Sequence, residues 1–281
     1  MEAVLGRVVA IRRYPVKSML GEEVLAAELT AAGLVGDRRY ALVHRETGRV
    51  ASGKHPRLWP DLLACAATYG GGAVRLTLPD GQTLSSADPD VDRVLSKLLG
   101  QPVRLTDTPP AAGLLERAVP EEVLRHGVDA AVPVTVDRIG GQHAGVNFVD
   151  AAAVHLLSTS TLDRIATLSP RGAVEPERYR PNLIVQTRVP GFPENDWCGR
   201  AVQIGERLLL CVVSRTARCA VPTLAHGDLP RDTAALRVPA THNRVPRVPG
   251  SEPHPCAGVY AEVSRPGRIA IGDAVRLADY D

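Results

Sequence analysis

The chain opens on a strand pattern. Between Val4 and Arg13, Leu5, Val8, Val9 and Ile11 alternate, with one break, and the run stops at Tyr14-Pro15. Residues 23–29 and 40–44 predict further strands. From Val74 to Leu78 the alternation is strict, Pro79-Asp80-Gly81 turns the chain and Thr83-Leu84 starts back, which predicts a hairpin. One segment shows the helical period instead: Val91, Val94, Leu95, Leu98 and Leu99 share a face, with Asp88 as the expected N-cap, Pro89 at the first position and Gly100 as the stop. Periodicity fades after Pro109, so a boundary or long crossover between two lobes is expected at about residues 110–135.

Beyond a Gly-rich segment at 140–145, an apolar stretch runs from Val146 to Leu157, and Ser160-Thr161-Leu162-Asp163 reads as a capping box before a short helix. Residues 183–185, 201–204, 208–213, 259–263, 269–271 and 275–277 are β-type runs, with Gly272-Asp273 turning between the last two. Many short strands and few helices predict a mainly β (α+β) fold of two barrel-like lobes, residues 1–120 and 121–281.

Composition narrows the function classes. The 33 basic residues nearly balance 31 acidic ones, so the chain lacks the broad positive footprint of a nucleic-acid binder. No apolar run reaches the roughly 18–20 residues of a membrane helix, and no signal-peptide core precedes Arg12-Arg13, so a soluble cytoplasmic protein is expected. Only Lys17, Lys54 and Lys97 are lysines; the other basic residues are arginines. The five cysteines, Cys65, Cys198, Cys211, Cys219 and Cys256, contain no CxxC pair, and the eight histidines show no zinc-site spacing.

Cys219 is the strongest chemical candidate. It follows an apolar strand, and Arg215 and Arg218 stand close enough in sequence to favour a thiolate that ligates a metal or attacks an electrophile; a buried core cysteine is the plain alternative. Arg180-Pro181-Asn182 offers a guanidinium and a carboxamide at the mouth of a strand, suited to a planar heterocycle or an anion, or else simply a solvated loop. Lys17 and Ser18 sit in a tight turn where a scarce, compact ammonium suits phosphate. Asp37-Arg38-Arg39 is either a structural ion pair or another anion-binding turn.

Taken in order, YPVKS at 14–18, GLVGDRRYALV at 33–43, HLLS at 155–158, RYRPNLIV at 178–185, Asp196-Trp197, Ile204-Gly205, Arg218-Cys219 and the terminal GVYAEV and PGRIAIGD runs resemble the MOSC-domain proteins. The resemblance covers nearly the whole chain. It points to the subgroup in which an N-terminal MOSC β-barrel domain precedes the MOSC domain, the group of the mitochondrial amidoxime-reducing component and bacterial reductases of N-hydroxylated compounds.

The resemblance implies a molybdenum cofactor, a phosphate-bearing pterin dithiolene whose metal takes one protein cysteine. Cys219 would be that ligand and the catalytic centre, Lys17, Ser18 and Arg38 would bind the phosphate end, and Arg180 and Asn182 would hold the pterin. The implied reaction is reduction of a small N-hydroxylated or N-oxide substrate. The chain has no haem or iron–sulfur cysteine set, so a separate reductase would supply electrons. Persulfide-based sulfur transfer and non-catalytic cofactor carriage are the alternatives, and at family level alone there is an association with pyridoxal phosphate. Two departures stand out: Ala151-Ala152-Ala153 replaces a segment that often carries Thr or Ser, and the residues after Cys219 differ from the mitochondrial sequence.

Overall fold

Seven of the apolar runs become the staves of one closed barrel: β1 (Val4–Arg13), β2 (Val154–Ser158), β3 (Leu183–Thr187), β4 (Ala201–Ile204), β5 (Leu208–Ala217), β6 (Pro253–Arg265) and β7 (Ala274–Ala278). The computed structural model describes residues 4–70, 72–110 and 112–278. Around the barrel the order is β2, β3, β1, β7, β4, β5, β6 and back to β2. Only the β2–β3 pair is parallel. β5 shows how the sequence builds the wall: Leu208, Leu210, Val212, Ser214 and Thr216 are buried, and the residues between them are more open. β2 is buried at every position because α3 (Thr159–Leu168) follows it and packs on both β2 and β3.

The barrel draws on both ends of the chain, since β1 pairs with β3 and β7 and thereby closes the ring. Its core gathers Val8, Ile11, Leu156, Val185, Trp197, Leu210 and Val259. A second core collects Leu42, Leu76, Leu95 and Val103 from the hairpins at 66–85, from α1 (Val91–Leu99) and from the strand pair Ala41–His44 and Val103–Thr106, together with Val16 and Trp59 from the connecting segments. The mainly β fold with a barrel is thus the one expected.

Element boundaries depart from expectation where a local hydrogen bond overrules propensity. α1 begins at Val91 with Asp90 at its N-cap, because Asp88 closes the preceding turn by accepting from the Asp90 amide at 2.9 Å. Gly100 ends the helix at φ 62°, as read. The cap of α3 is Ser158, whose Oγ accepts from the Thr161 amide at 3.0 Å, two residues ahead of the expected box. The stretch at 110–135 is no bare crossover. Leu114–Ala118 pairs antiparallel with Val134–Arg138 and brackets α2 (Pro120–His126). Val134 and Val136 are exposed, so the second strand of the pair has no inside–outside contrast for its sequence to show. α4 (Ala234–His242) was hidden by Pro239 within it.

Candidate functional site

The turn after β1 buries Lys17 to 5% exposure. An ammonium is expensive to bury unpaired, and two partners meet it: its Nζ donates to Phe148 O at 2.8 Å and pairs with the Asp150 carboxylate. The other Asp150 oxygen pairs with Lys54 at 2.9 Å. Burial pushes the Lys17 ammonium down to about 8, and Lys54 and Arg38 add to that push against the opposing pull of Asp150. Burial alone would raise the Asp150 carboxyl, but the two lysines hold it well below the usual carboxylate range.

Arg38 and Arg180 lie against one aromatic ring. Their guanidinium carbons stand 4.6 and 4.3 Å from the Tyr14 ring centre, and Arg38 Nη2 donates to Arg180 O at 3.2 Å. Arg38 also pairs with Asp37, whereas Arg180 has no acidic partner among the described residues; its Nη1 donates to Met19 O at 2.6 Å. Burial, aided by Arg38, lowers Arg180 to about 10. Arg180 Nη2 and Tyr14 Oη are buried without a partner.

Backbone strain falls on the same residues. Among the described residues, the only non-glycine positions with positive φ are Ser18 at 62°, Arg38 at 45° and Arg180 at 55°. Left-handed backbone costs about 1–2 kcal/mol at an L-residue. Surrounding structure enforces it here: Arg38 N donates to Tyr14 O at 2.7 Å, and Ser18 Oγ accepts from the Gly53 amide at 3.1 Å.

Asn182 plays a different part at this depth. Its Oδ1 accepts from the His155 amide at 3.1 Å and its Nδ2 donates to Arg12 O at 3.3 Å, so the carboxamide ties β1 to the entry of β2. His155 is buried beside Arg180 O, with Nε2 unpartnered. Burial and the charges of Arg218 and Arg38 hold its imidazole well below its ordinary value, hence neutral.

Cys219 follows the end of β5 and is partly buried against Leu63, Val221 and Leu224. Arg218 stays beside it, donating Nη1 to Tyr179 O at 3.1 Å with Nε buried and unpartnered. Arg215 does not reach the site; its guanidinium donates to Asn195 O and Pro246 O at 3.1 and 2.9 Å. Arg178 is fully buried and braces the segment after Cys219, donating to Leu224 O at 3.1 Å and Pro230 O at 2.8 Å while paired to Glu175. The hydrogen bond from Arg171 leads in drawing Glu175 down to about 2, and Arg178 adds to it.

These segments converge on one cavity of about 840 Å³. Lys17, Ser18, Arg38, Arg180, Asn182 and Cys219 all line it. Nine basic side chains and two acidic ones form its wall, in a chain of net charge +2. Ala151 and Ala152 line it too and add no side-chain hydrogen bond. Among the described residues no three His, Cys, Asp or Glu side chains gather as a metal site, so a metal at Cys219 would bring its other ligands with it. A soft thiol, orphaned buried donors and concentrated positive charge fit a metal-bearing organic anion of cofactor size.

Two family models match the sequence, the MOSC N-terminal beta barrel domain over residues 5–110 and the MOSC domain over 143–276. The chain belongs to the MOSC-domain family. This family is associated with molybdenum-cofactor-binding proteins. The MOSC barrel uses strands from both matched regions, β1 from the first and β2 to β7, apart from the last residues of β7, from the second. Among solved structures the chain is similar to the YUAD protein from Bacillus subtilis, with 12% identity, a TM-score of 0.49 and full coverage of both chains. It is also similar to YiiM from Geobacillus stearothermophilus, at 15% identity and a TM-score of 0.32 over 46% of this chain and 55% of that one. No curated protein matches the sequence. No helix among the described residues is long and apolar enough to cross a membrane.

The sequence reading missed Lys54 and Asp150. The scarcity argument that singled out Lys17 applies equally to Lys54, since two of three lysines meet one carboxylate. Asp150 gave no signal, because its role depends on a contact with Lys17 across 133 positions.

Proposed function

We propose that this MOSC protein is a molybdenum-cofactor oxidoreductase that reduces N-hydroxylated or N-oxide small molecules. The observation that carries the reading is the coincidence of the three strained residues, Ser18, Arg38 and Arg180, with the wall of the cationic cavity that also holds Cys219. Strained backbone persists where function requires a fixed geometry.

In this reading Lys17, Ser18 and Arg38 hold the phosphate end of the cofactor, joined by Lys54. Arg180 offers its free Nη2 to the pterin edge, and Asn182 fixes the strand entry behind it. Cys219 supplies the thiolate. When bound, the cofactor supplies a metal centre that exchanges two electrons with the substrate. For an amidoxime the balance is cleavage of one N–O bond, uptake of two electrons and two protons, and release of the amidine and water. A separate reductase delivers the electrons. Arg178 keeps the segment after Cys219 in place, and neutral His155 holds its Nδ1 toward Arg180 O.

Steady-state reduction of benzamidoxime with a chemical electron donor tests this. Benzamidine should form with the unmodified protein, and Cys219→Ser should lose activity by at least two orders of magnitude. A metal-loaded protein without turnover across N-hydroxylated substrates would point to a carrier. A sulfane-sulfur mass shift on Cys219, without turnover, would point to sulfur transfer.

A further inference from the structure

Charge on the cavity wall exceeds what the cofactor would use. Of the two acidic side chains there, Asp150 is held by Lys17 and Lys54, and Asp137 is paired with Arg117 at 2.7 Å. Arg178 is paired with Glu175, and Arg38 with Asp37. Arg180 sits on Tyr14 at the inner end. Three cations remain with no acidic partner among the described residues: Arg138, Arg218 and Arg247. Arg218 is next to Cys219 in the chain. Arg138 and Arg247 are exposed while also lining the cavity, which places them at its rim.

Beside them the rim carries the Arg117–Asp137 pair, each side chain 34% exposed, and an apolar residue. Val136 is 49% exposed on the strand that carries Arg138, and Tyr260 lines the same wall. Cations that face one cavity without counterions leave charge-assisted hydrogen bonds open, and a ligand that neutralises them gains those bonds. Guanidinium forks fit carboxylate and phosphate in a two-toothed geometry.

We infer that Arg138 and Arg247 form an anion subsite at the cavity rim, and that the substrates of this protein are N-hydroxylated compounds that also carry a carboxylate or phosphate. The inference rests on the reductase reading for the N-hydroxyl group alone. The anion subsite itself stands on the unneutralised rim. Arg218, one position from Cys219, extends the positive field inward.

The test pairs benzamidoxime with 4-carboxybenzamidoxime, which differ by one carboxylate. With a chemical electron donor, which bypasses any protein partner, the carboxylated compound should show a KM about tenfold lower. Arg138→Gln and Arg247→Gln should each erase most of that advantage by raising KM for the anion, with kcat little changed. The KM of benzamidoxime should move less than about twofold. Equal KM values in the unmodified protein, or equal losses on both substrates in the variants, overturn the inference. If neither compound turns over, the reductase reading has failed, and calorimetry decides the subsite separately. Tighter binding of the carboxylated compound, lost in both variants, supports it; equal binding of the two compounds overturns it.

Discussion

At the scale of single residues, Ser18 gives the cleanest test of stored strain. Its side chain accepts one hydrogen bond, from Gly53, while its backbone stands at φ 62°. Both Ser18→Ala and Ser18→Gly lose that bond, but only glycine relaxes the backbone. The glycine variant should therefore unfold about 1 kcal/mol less readily than the alanine variant, as read from denaturant midpoints; equal midpoints would show that the turn is unstrained. Lys17 offers a second residue-scale test. Its ammonium is brought down to about 8, chiefly by burial and further by Lys54 and Arg38, with Asp150 opposing. It is charged below that value and loses its charge above it. Affinity for sulfate, which does not titrate in this range, should fall as pH rises past about 8 in the cofactor-free protein, and Lys17→Met should flatten the profile. Lys17, Ser18, Arg38, Arg180 and Cys219 were legible in the sequence because scarcity, turn chemistry and a strand end marked them. The neutral state of His155 was not, since it depends on burial and on charges far away in the chain.

At the scale of elements, the segment after Cys219 depends on Arg178. This guanidinium is fully buried and bonded to two carbonyls of the loop it braces. Arg178→Met leaves those carbonyls unsatisfied and removes one of the two arginine partners of Glu175, which keeps Arg171, for a loss of about 1–3 kcal/mol. Thiol titration should then find Cys219 more reactive, while Cys65 and Cys256, whose thiols burial pushes up to about 12 and about 11, stay inert under native conditions. An unchanged thiol rate would remove Arg178 from its bracing role. β1 was readable from end to end, and β5 as far as Val213; its last four residues, Ser214 to Ala217, are mostly polar and gave no apolar signal. The pair Leu114–Ala118 and Val134–Arg138 was not, because the exposed valines of its second strand remove the contrast on which alternation depends.

At the scale of the molecule, closure by β1 joins the first residues of the chain to a barrel built mainly from its second half. The two tryptophans report separately on the result, Trp197 in the barrel core and Trp59 in the second core. Shared strands and a shared cavity wall predict one cooperative unfolding transition, so Trp59→Phe and Trp197→Phe should show coincident fluorescence midpoints after correction for their own stability effects. Two separated transitions would mean that the cores fold independently. A sequence-only division near residue 120 could not foresee this closure, since no local pattern in β1 names its partners. In the proposed reading this cationic cavity, with Cys219 on its wall, holds a molybdenum–pterin cofactor. Metal analysis combined with mass spectrometry of the released pterin, on protein purified from a host that makes the cofactor, tests it most directly. Molybdenum and pterin should be present in near-equal amounts, both sharply reduced in a Lys17→Met, Arg38→Met double variant that still folds. Folded, unmodified protein carrying neither molybdenum nor pterin would contradict it.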